Sequence, residues 1–382
     1  MIDPAYYLDN AATTQILPEV LSEALPYLNE EFGNPSSLYS LGTRAGNAVK
    51  RARESLARSF GVPPQGITFT GSGTESDNLA LRGVFRSTRL KGERLLISAI
   101  EHAAVRETAR DLAREGVRVD SIPVTSQGIV DLPALEALLS SQVRMVSCMA
   151  VNNELGTAQP LLEIGRLVKR CAPNAIFHVD AVQAFTKIPV PWREAGVGLI
   201  SISAHKVHGP KGVGALIRCR QVPLEPLITG GGQEQGLRSG TESPFAALAF
   251  ALAAERCTGL HIQQNREREV YHRRFRDFLE DFPKIRVYRS AAATPFIISF
   301  SLPPIPGEVT LHHLEQEGLA VSTGSACHTR APEPSPALLA VGMSEREALS
   351  TVRLSFSVHN RVAGLERVFP PFRAALQRLQ RL

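Results

Sequence analysis

The sequence predicts an α/β fold around a mostly parallel sheet, followed by a smaller α+β region. Between residues 67 and 218, short apolar runs alternate with helix-like segments, which is the pattern of strand–helix–strand units. The chain has 382 residues, of which 43% are hydrophobic and 21% charged, as is typical of a globular protein. Because this length exceeds what one compact core usually holds, we expect two domains.

The apolar runs locate the strands in chain order. Strands of the first region are predicted at 67–70, 94–100, 117–124, 143–151, 175–179, 198–203 and 214–218, with helices at 103–114 and near 161–171. Almost no Gly or Pro interrupts 244–282, which is therefore predicted to be a long helical segment that bridges the domains. Beyond it, strands are predicted at 285–288, 296–302, 319–322 and 352–358, and helices at 308–317, at 344–349 and at the terminus.

Composition restricts the class of protein. The net charge is +5, but the basic residues are dispersed, and the one concentration, at 266–276, alternates with acids as on a solvated helix face. No direct nucleic-acid partner is therefore expected. The N-terminus has no leader-like pattern and no run reaches 18 apolar residues, so we expect no membrane contact and a cytoplasmic location. The five cysteines have no CxxC spacing, which argues against disulfides and a metal site; they are Cys148, Cys171, Cys219, Cys257 and Cys327.

Lys206 is the most informative single residue. It follows the apolar run 198–203, and burial at the end of a strand disfavours the charged ammonium form. The chain uses seven lysines and 35 arginines, so a lysine here is expected to do more than supply charge. An amine with a lowered pKa is suited to a Schiff base.

Two other segments offer groups that bind a charged ligand. The segment GSGTES (71–76) follows a strand and opens a helix, so its backbone N–H groups can bind phosphate. Thr74 adds a hydroxyl, and Thr74 with Asp77 also fits a relaxed capping box. The alternative for this segment is a plain strand–turn–helix cap. Asp180 ends another strand, three residues before Gln183, where a buried carboxylate needs a cation. Its alternative is a helix cap.

Taken together, these groups match one cofactor. Pyridoxal 5′-phosphate needs a phosphate cradle, a carboxylate for its pyridinium and a lysine for its aldehyde. The Gly/Thr loop, Asp180 and Lys206 supply these, and Gln183 is suited to the ring hydroxyl. His102 ends a further strand at the same sheet edge, where it can stack on the ring or move protons.

At this point the sequence resembles the cysteine desulfurases of the NifS/IscS group, in the class-V aminotransferase branch of the fold-type I pyridoxal-phosphate enzymes. The resemblance spans almost the whole chain in the family's order. It is carried by YLDNAATT (7–14), FGNPSS (32–37), GSGTESDN (71–78), EHAAV (101–105), VNNELGT (151–157), HVDAVQ (178–183), SAHKVHGPKGVGAL (203–216), GGGQEQGLRSGT (230–241), STGSACHT (322–329) and VRLSF (352–356).

The resemblance implies an architecture and partners. A large cofactor-binding domain with a seven-stranded type of sheet is expected at 13–255, and a small α+β domain at 1–12 with 256–382. The implied cofactor is pyridoxal 5′-phosphate and the implied substrate is L-cysteine. The implied partners are a sulfur-acceptor protein and a second copy of the chain, because Thr241 is similar to a threonine that reaches the cofactor phosphate of the neighbouring subunit.

The resemblance also implies roles for single residues. Lys206 would bind the cofactor aldehyde, Asp180 the pyridine nitrogen and Gln183 the ring oxygen, while His102 would stack on the ring and shuttle protons. The implied substrate-carboxylate residues are Asn153 and Arg353. The implied cofactor-binding set is Gly73, Thr74, His102, Asn153, Asp180, Gln183, Ser203, His205, Lys206 and Thr241.

Cys327 indicates the reaction. A thiol in a loop of Ser, Thr and Gly is placed for exposure and motion rather than packing. The resemblance implies that its thiolate attacks the activated sulfur of the substrate, leaving alanine and a persulfide on Cys327. His328 either lowers the pKa of this thiol or is an exposed bystander. The Pro-rich stretch that follows resembles the members with a long mobile loop rather than a short rigid one.

Three segments depart from the family pattern. Glu242-Ser243 stand where an apolar residue and Asn are more usual, which leaves local dimer contacts open. The stretch HTRAPEPSP after the cysteine is less serine-rich, and HNRVAGLERVF replaces a common acidic stretch. The change after the cysteine leaves the mobility of the loop and the choice of acceptor open.

Two other classes of function stay open at this stage. One is a different enzyme with the same cofactor, such as a selenocysteine lyase or a small-substrate aminotransferase, in which Cys327 is incidental. The other is a cofactor-free scaffold or sulfur-relay partner that keeps only the fold. Iron–sulfur cluster assembly, tRNA thiolation and DNA phosphorothioation are all possible destinations of the sulfur.

Overall fold

The computed structural model of the protein describes residues 3–323 and 333–381. Within these ranges the chain builds two sheets, one of seven strands and one of four. The strands of the large sheet are β1 (Ile67–Thr70), β2 (Arg94–Ser98), β3 (Arg118–Ile122), β4 (Val143–Ser147), β5 (Ile176–Asp180), β6 (Leu199–Ser203) and β7 (Gly214–Arg218).

The large sheet is mostly parallel, as predicted. Its strand order is β1-β7-β6-β5-β4-β2-β3. Strand β7 runs antiparallel to both of its neighbours, and the other pairs are parallel. The central strands β5 and β6 are buried along their whole length, which explains their nearly continuous apolar sequence.

Helices flank the large sheet, and the longer ones bury apolar stripes towards it. They are α1 (Pro18–Ala24), α2 (Pro26–Asn29), α3 (Ser40–Phe60), α4 (Gly73–Arg86), α5 (Ala103–Arg114), α6 (Leu132–Leu138), α7 (Leu161–Cys171) and α8 (Pro244–Gln263). Because β2, β4, β5 and β6 run parallel, their carboxyl ends meet at one edge, where open α/β sheets bind ligands.

The second sheet has the order β10-β11-β9-β8 and is antiparallel throughout. Its strands are β8 (Arg286–Val287), β9 (Ile297–Ser301), β10 (Ser322–Thr323) and β11 (Thr351–Ser355). The helices of this region are α9 (Asn265–Glu280), α10 (Gly307–Glu315), α11 (Pro336–Ala340), α12 (Glu345–Leu349) and α13 (Leu365–Leu379). Phenylalanines of α9 and α13 pack with the apolar face of this sheet in a core separate from that of the large sheet.

The N-terminal segment connects the two sheets. Tyr7 and Asp9 form single bridges with Ala320 and Ser355 of the second region. A few residues later, the N–H of Thr14 donates to the carbonyl oxygen of His205, beside the large sheet. Residues 9–14 therefore lie between the second sheet and the edge of the first.

Several predicted boundaries are wrong. The strand predicted at 143–151 ends at Ser147 and the one predicted at 352–358 ends at Ser355. The predicted helix over 244–282 is two helices, because Gln264 leaves helical geometry at φ −105° and ψ 8°. Helix α3 was not predicted, although its buried positions Ala45, Ala48, Ala52 and Leu56 follow a helical period.

Among the described residues, α8 is the one helix long and apolar enough to cross a membrane by length and composition. Ala247, Phe250 and Ala254 of α8 lie in the core of the large sheet region. On another face, Ala253 and Cys257 pack against α1. Helix α8 is therefore packed on two faces inside the protein, and core helices of globular proteins have this apolar composition because they are buried in the same way.

Candidate active site

Lys206 lies at the edge of the large sheet, just after β6. A single turn of 3-10 helix carries it out of the sheet. Its Nζ donates to the carbonyl oxygen of Ala11 at 2.5 Å and to that of Ala12 at 2.7 Å. Burial first, and the Arg353 guanidinium second, lower the pKa of Lys206 to about 7. The amine is therefore partly uncharged at neutral pH and can act as a nucleophile.

Asp180 is the last residue of β5, next to β6 in the sheet, and it is 4% exposed. Its Oδ1 accepts the N–H of Val182 at 2.9 Å, which holds a turn and caps no helix. Burial raises the pKa of Asp180 to about 6, while Val182 and Lys206 lower it. A carboxylate in this position needs a cation, and a protonated pyridine nitrogen is a suitable one.

Gly73 and Ser203 face each other where β1 meets α4. A Cβ on Gly73 would lie 2.9 Å from Val182 Cγ2 and 3.3 Å from Ser203 Cβ, so the close approach requires glycine. The Ser203 hydroxyl oxygen is buried and has no hydrogen-bond partner within the described residues. Together with the N–H groups of the first turn of α4, this hydroxyl fits a bound phosphate.

The capping interaction of α4 differs from the prediction. The N-cap is Ser72, whose Oγ accepts the N–H of Glu75 at 3.1 Å. Thr74 is already helical and exposed, so the predicted capping box of Thr74 and Asp77 is wrong. The backbone of Ser72 is extended, at φ −171° and ψ 171°, as an N-cap requires. The cap and a phosphate site are compatible, because Thr74 keeps its hydroxyl free of the cap.

His102 is the N-cap of α5 at the same edge of the sheet. Its Nδ1 accepts the N–H of Ala104 at 3.1 Å, so the neutral ring carries its hydrogen on Nε2. The ring reaches solvent, yet partial burial and then the Lys206 charge hold the pKa of His102 below its ordinary value. A neutral imidazole beside the lysine can stack on a ring and exchange a proton through Nε2.

Gln183 and His205 contact the N-terminal segment. Gln183 Nε2 donates to the carbonyl oxygen of Ala11 at 2.9 Å, the same oxygen that binds Lys206. His205 Nδ1 lies 3.2 Å from the Thr13 hydroxyl. Burial, reinforced by the Lys206 charge, lowers the pKa of His205 to about 4. The structure thus brings both predicted residues to Lys206 through residues 11–13.

Arg353 brings the second sheet to this site. Its Nη1 donates to the backbone oxygen of Asn153 at 2.9 Å, and its Nη2 pairs with Asp9 at 2.7 Å. Its buried Nε has no partner among the residues that the structure describes. The two predicted carboxylate-binding residues therefore meet, but Asp9 already holds one side of the guanidinium.

Asp9, Ala11 and Ala12 were not assigned roles from the sequence. The carbonyl oxygens of both alanines bind Lys206, and the carboxylate of Asp9 binds Arg353. The segment YLDNAATT (7–14) was recognised in the sequence. Ala11 and Ala12 act through their backbone carbonyl oxygens, however, and the type of a residue does not reveal such a role. Their role could be found only from the course of the chain between the sheets.

Thr241 is exposed, two residues before Ser243. Ser243 is the N-cap of α8, and its Oγ accepts the N–H of Ala246 at 3.2 Å, so it does what an asparagine at this position would do. Nearby, Arg238 pairs with Glu75 of α4 at 3.0 Å. This pair holds the segment that contains Thr241 against the first turn of α4.

Cys327 and His328 lie outside the described residues. Among the described cysteines, Cys148 is fully buried in the core, and burial raises the pKa of both Cys219 and Cys257 to about 12. Such thiols are poor nucleophiles at neutral pH. Within the described part of the chain, no group of three or more His, Cys, Asp and Glu residues is placed to hold a metal ion.

Comparison with known proteins adds a family and an activity. Residues 6–368 match the family model described as aminotransferase class-V. The chain is 37% identical over 358 residues to a Clostridium botulinum protein named cysteine desulfurase IscS, covering 93% of this chain and 90% of that one. It is 37% identical over 382 residues to a cysteine desulfurase of Nostoc sp., covering 98% and 94%. A solved structure titled NifS-like protein superposes with a TM-score of 0.91 at 34% identity, over 99% of this chain and 100% of the other.

Proposed function

The chain belongs to the class-V aminotransferase family and is a pyridoxal-phosphate-dependent cysteine desulfurase, and we propose that it converts L-cysteine to L-alanine through a persulfide on Cys327. The observation that carries the proposal is the position of the Lys206 amine, whose Nζ binds the carbonyl oxygens of Ala11 and Ala12 at the sheet edge that also holds the buried Asp180 carboxylate. A sulfur-acceptor protein then takes the persulfide sulfur.

The residues of the site fit pyridoxal 5′-phosphate. Lys206 would hold its aldehyde, Asp180 its pyridine nitrogen and Gln183 its ring oxygen. Gly73, Thr74, Ser203 and His205 would hold its phosphate, with His102 and Asn153 beside the ring. The buried hydroxyl of Ser203 supports this assignment, because it has no other partner in the described structure.

When bound, the cofactor would supply an electron sink, which makes the C–H bonds of the substrate acidic and its sulfur electrophilic. Lys206 and His102 hold and move the protons, Lys206 on Nζ and His102 on Nε2. The Cys327 thiolate forms the new S–S bond as the substrate C–S bond breaks. The electron pair of the broken bond stays with carbon, which takes up a proton and leaves as alanine.

Arg353 orients the substrate in this proposal. Its guanidinium is planar and offers five donors, which suits a carboxylate better than a lysine would. Nε of Arg353 has no partner among the described residues, which supports this role, and the backbone oxygen of Asn153 holds the guanidinium at Nη1. Asp9 holds the guanidinium in place before the substrate binds.

We propose that the protein acts as a homodimer, with Thr241 reaching the cofactor phosphate of the partner subunit. Exposed large apolar side chains within residues 25–39 support a second copy as their cover. Leu38 of this segment is 98% exposed. These exposed side chains are Leu25, Leu28, Phe32, Leu38 and Tyr39.

We also propose two domains, at 13–255 and at 1–12 with 256–382, and a cytoplasmic location without membrane or direct nucleic-acid partners. The separate apolar cores support the division, since Leu8 packs with the core of the second sheet. Helix α8 continues to Gln263, so the boundary at 255 falls within a helix.

The Cys327→Ser variant tests the proposed function. It should keep the colour of the bound cofactor but lose alanine and sulfide production from L-cysteine, with the buried Cys148→Ser variant as a matched control. Retention of full alanine production by Cys327→Ser would instead favour an enzyme of this family in which the thiol is incidental. A colourless wild-type protein that binds no added cofactor would favour a scaffold.

A further inference from the structure

A row of polar side chains crosses the three central strands of the large sheet, next to Asp180. His178 of β5 is fully buried; its Nδ1 lies 2.9 Å from the Ser147 hydroxyl of β4 and its Nε2 lies 3.0 Å from the Ser201 hydroxyl of β6. Both ring nitrogens are therefore satisfied by hydroxyls. Burial lowers the pKa of His178 to about 3, so the ring is neutral and offers no positive charge to its neighbours.

Asp77 packs onto this row from α4 and is 1% exposed. Its Oδ1 has no hydrogen-bond partner among the described residues. The nearest basic nitrogen is Nε2 of His178, which is 3.6 Å away and already contacts Ser201. Burial without a hydrogen-bond donor strongly disfavours the ionised form of such a carboxylate.

Two other buried carboxyls lie near Asp77, and each has a backbone donor. Oδ1 of Asp180 accepts the N–H of Val182 at 2.9 Å, and Oε1 of Glu101 accepts the N–H of Met149 at 2.6 Å. Three carboxylates cannot all be ionised in so small a buried volume. Asp180 is the one that also lies near a cation, Lys206. Asp77 is thus the aspartate least able to hold a negative charge.

We propose that Asp77 is a positioning residue, held as a neutral carboxylic acid behind Asp180, which keeps the negative charge of this aspartate pair on Asp180. A neutral Asp77 does not repel the ionised carboxylate of Asp180. An ionised Asp77 would repel it and would favour protonation of Asp180. The inference rests on the proposed role of Asp180 as the partner of the pyridine nitrogen, because that role requires an ionised carboxylate. Burial and then the charge of Asp180 raise the pKa of Asp77 well above its ordinary range, and the nearby Ser201 hydroxyl, which acts in the opposite direction, offsets them only in part.

Infrared spectroscopy of the purified holoenzyme can test this directly. Aspartate labelled with 13C in its side-chain carboxyl identifies protonated aspartates by their isotope-shifted carboxylic-acid band, and Glu101 is silent because it is unlabelled. At about pH 7.5 an exposed aspartate is fully ionised and gives no carboxylic-acid band. We therefore expect one such band, from a buried aspartate. The band should be lost in Asp77→Asn and kept in Asp180→Asn. Absence of the band in wild-type protein, or its loss in Asp180→Asn alone, would overturn the proposal.

Cofactor retention gives a second readout that separates charge from shape. Asparagine resembles a protonated aspartic acid, so Asp77→Asn should raise the dissociation constant for pyridoxal 5′-phosphate less than about threefold, within the scatter of a conservative neutral substitution. Asp180→Asn should raise it about 100-fold or more, because it removes one partner of a buried charge pair. Equal losses in both variants would show that Asp77 must be charged. Neither measurement depends on desulfurase activity. A protein without that activity can still show whether Asp77 carries the proton, so failure of the proposed function and failure of this inference are distinguishable. If Asp77→Asn does not fold, persistence of the band in labelled Asp180→Asn still supports a proton on Asp77, and its absence from the wild-type spectrum still overturns the proposal.

Discussion

The edge of the large sheet and the interior of the second sheet both bury charge, but they balance it differently. At the large sheet, Asp180 and Lys206 lie close together with shifted pKa values, and the Ser203 hydroxyl has no partner within the described ranges. In the second sheet, Arg353 is already paired with Asp9 at 2.7 Å. The first region therefore needs a ligand to pair its buried polar groups. The second region pairs most of its own charge and contributes one side chain, Arg353, to the site.

Replacing Lys206 should break the first region most severely. Lys206→Ala should lower the rate of alanine formation at least about a thousandfold, because it removes both a nucleophile and a proton carrier. Measured alanine release and cofactor retention after gel filtration test this. Lys211→Ala, five residues away and exposed, is the matched control and should keep near-wild-type values.

Replacing Arg353 tests what the second region contributes. Arg353→Lys should raise KM for L-cysteine about 10- to 100-fold, since lysine cannot form the paired hydrogen bonds of a guanidinium, with a smaller change in kcat. The exposed Arg256→Lys substitution is a control for charge-conserving change. An unchanged KM would mean that Arg353 serves only the ion pair with Asp9.

The pH dependence of the cofactor-free protein should carry the signature of Lys206. Its folded pKa of about 7 lies below the value of about 10.4 for a free lysine. Between these values the unfolded chain binds the extra proton, so the contribution of Lys206 to stability increases as the pH rises. Relative to Lys206→Met, the wild-type free energy of unfolding should increase by up to about 2 kcal/mol between about pH 7 and about pH 9. Denaturant titrations that give parallel pH curves for both proteins would contradict this, and Lys211→Met is the control.

The smallest effect should come from Ser203. Because its buried hydroxyl has no partner in the described protein, Ser203→Ala should leave the stability of the cofactor-free protein unchanged or slightly higher. It should weaken cofactor binding by about three- to tenfold, which corresponds to one lost hydrogen bond. Thermal unfolding and fluorescence titration measure the two values. A loss of stability without a loss of affinity would make Ser203 a structural residue.

Much of the fold and part of the site could be predicted from the sequence. The parallel strands were found because their apolar runs are nearly continuous, and Lys206, Asp180 and His102 were found because each follows such a run. Helix α3 was missed although its apolar period is visible, and the break at Gln264 carries no Gly or Pro signal. The contacts of Ala11 and Asp9 depend on how the N-terminal segment crosses between two sheets, which no local pattern encodes.

Peptide mass spectrometry after one turnover tests the central claim most directly. The holoenzyme is mixed with one equivalent of L-cysteine, trapped with a thiol-alkylating reagent and digested without reductant. We predict that the peptide containing Cys327 gains one sulfur atom, in proportion to the alanine released. Alanine release with no added sulfur on Cys327, or added sulfur on another cysteine, would contradict the account.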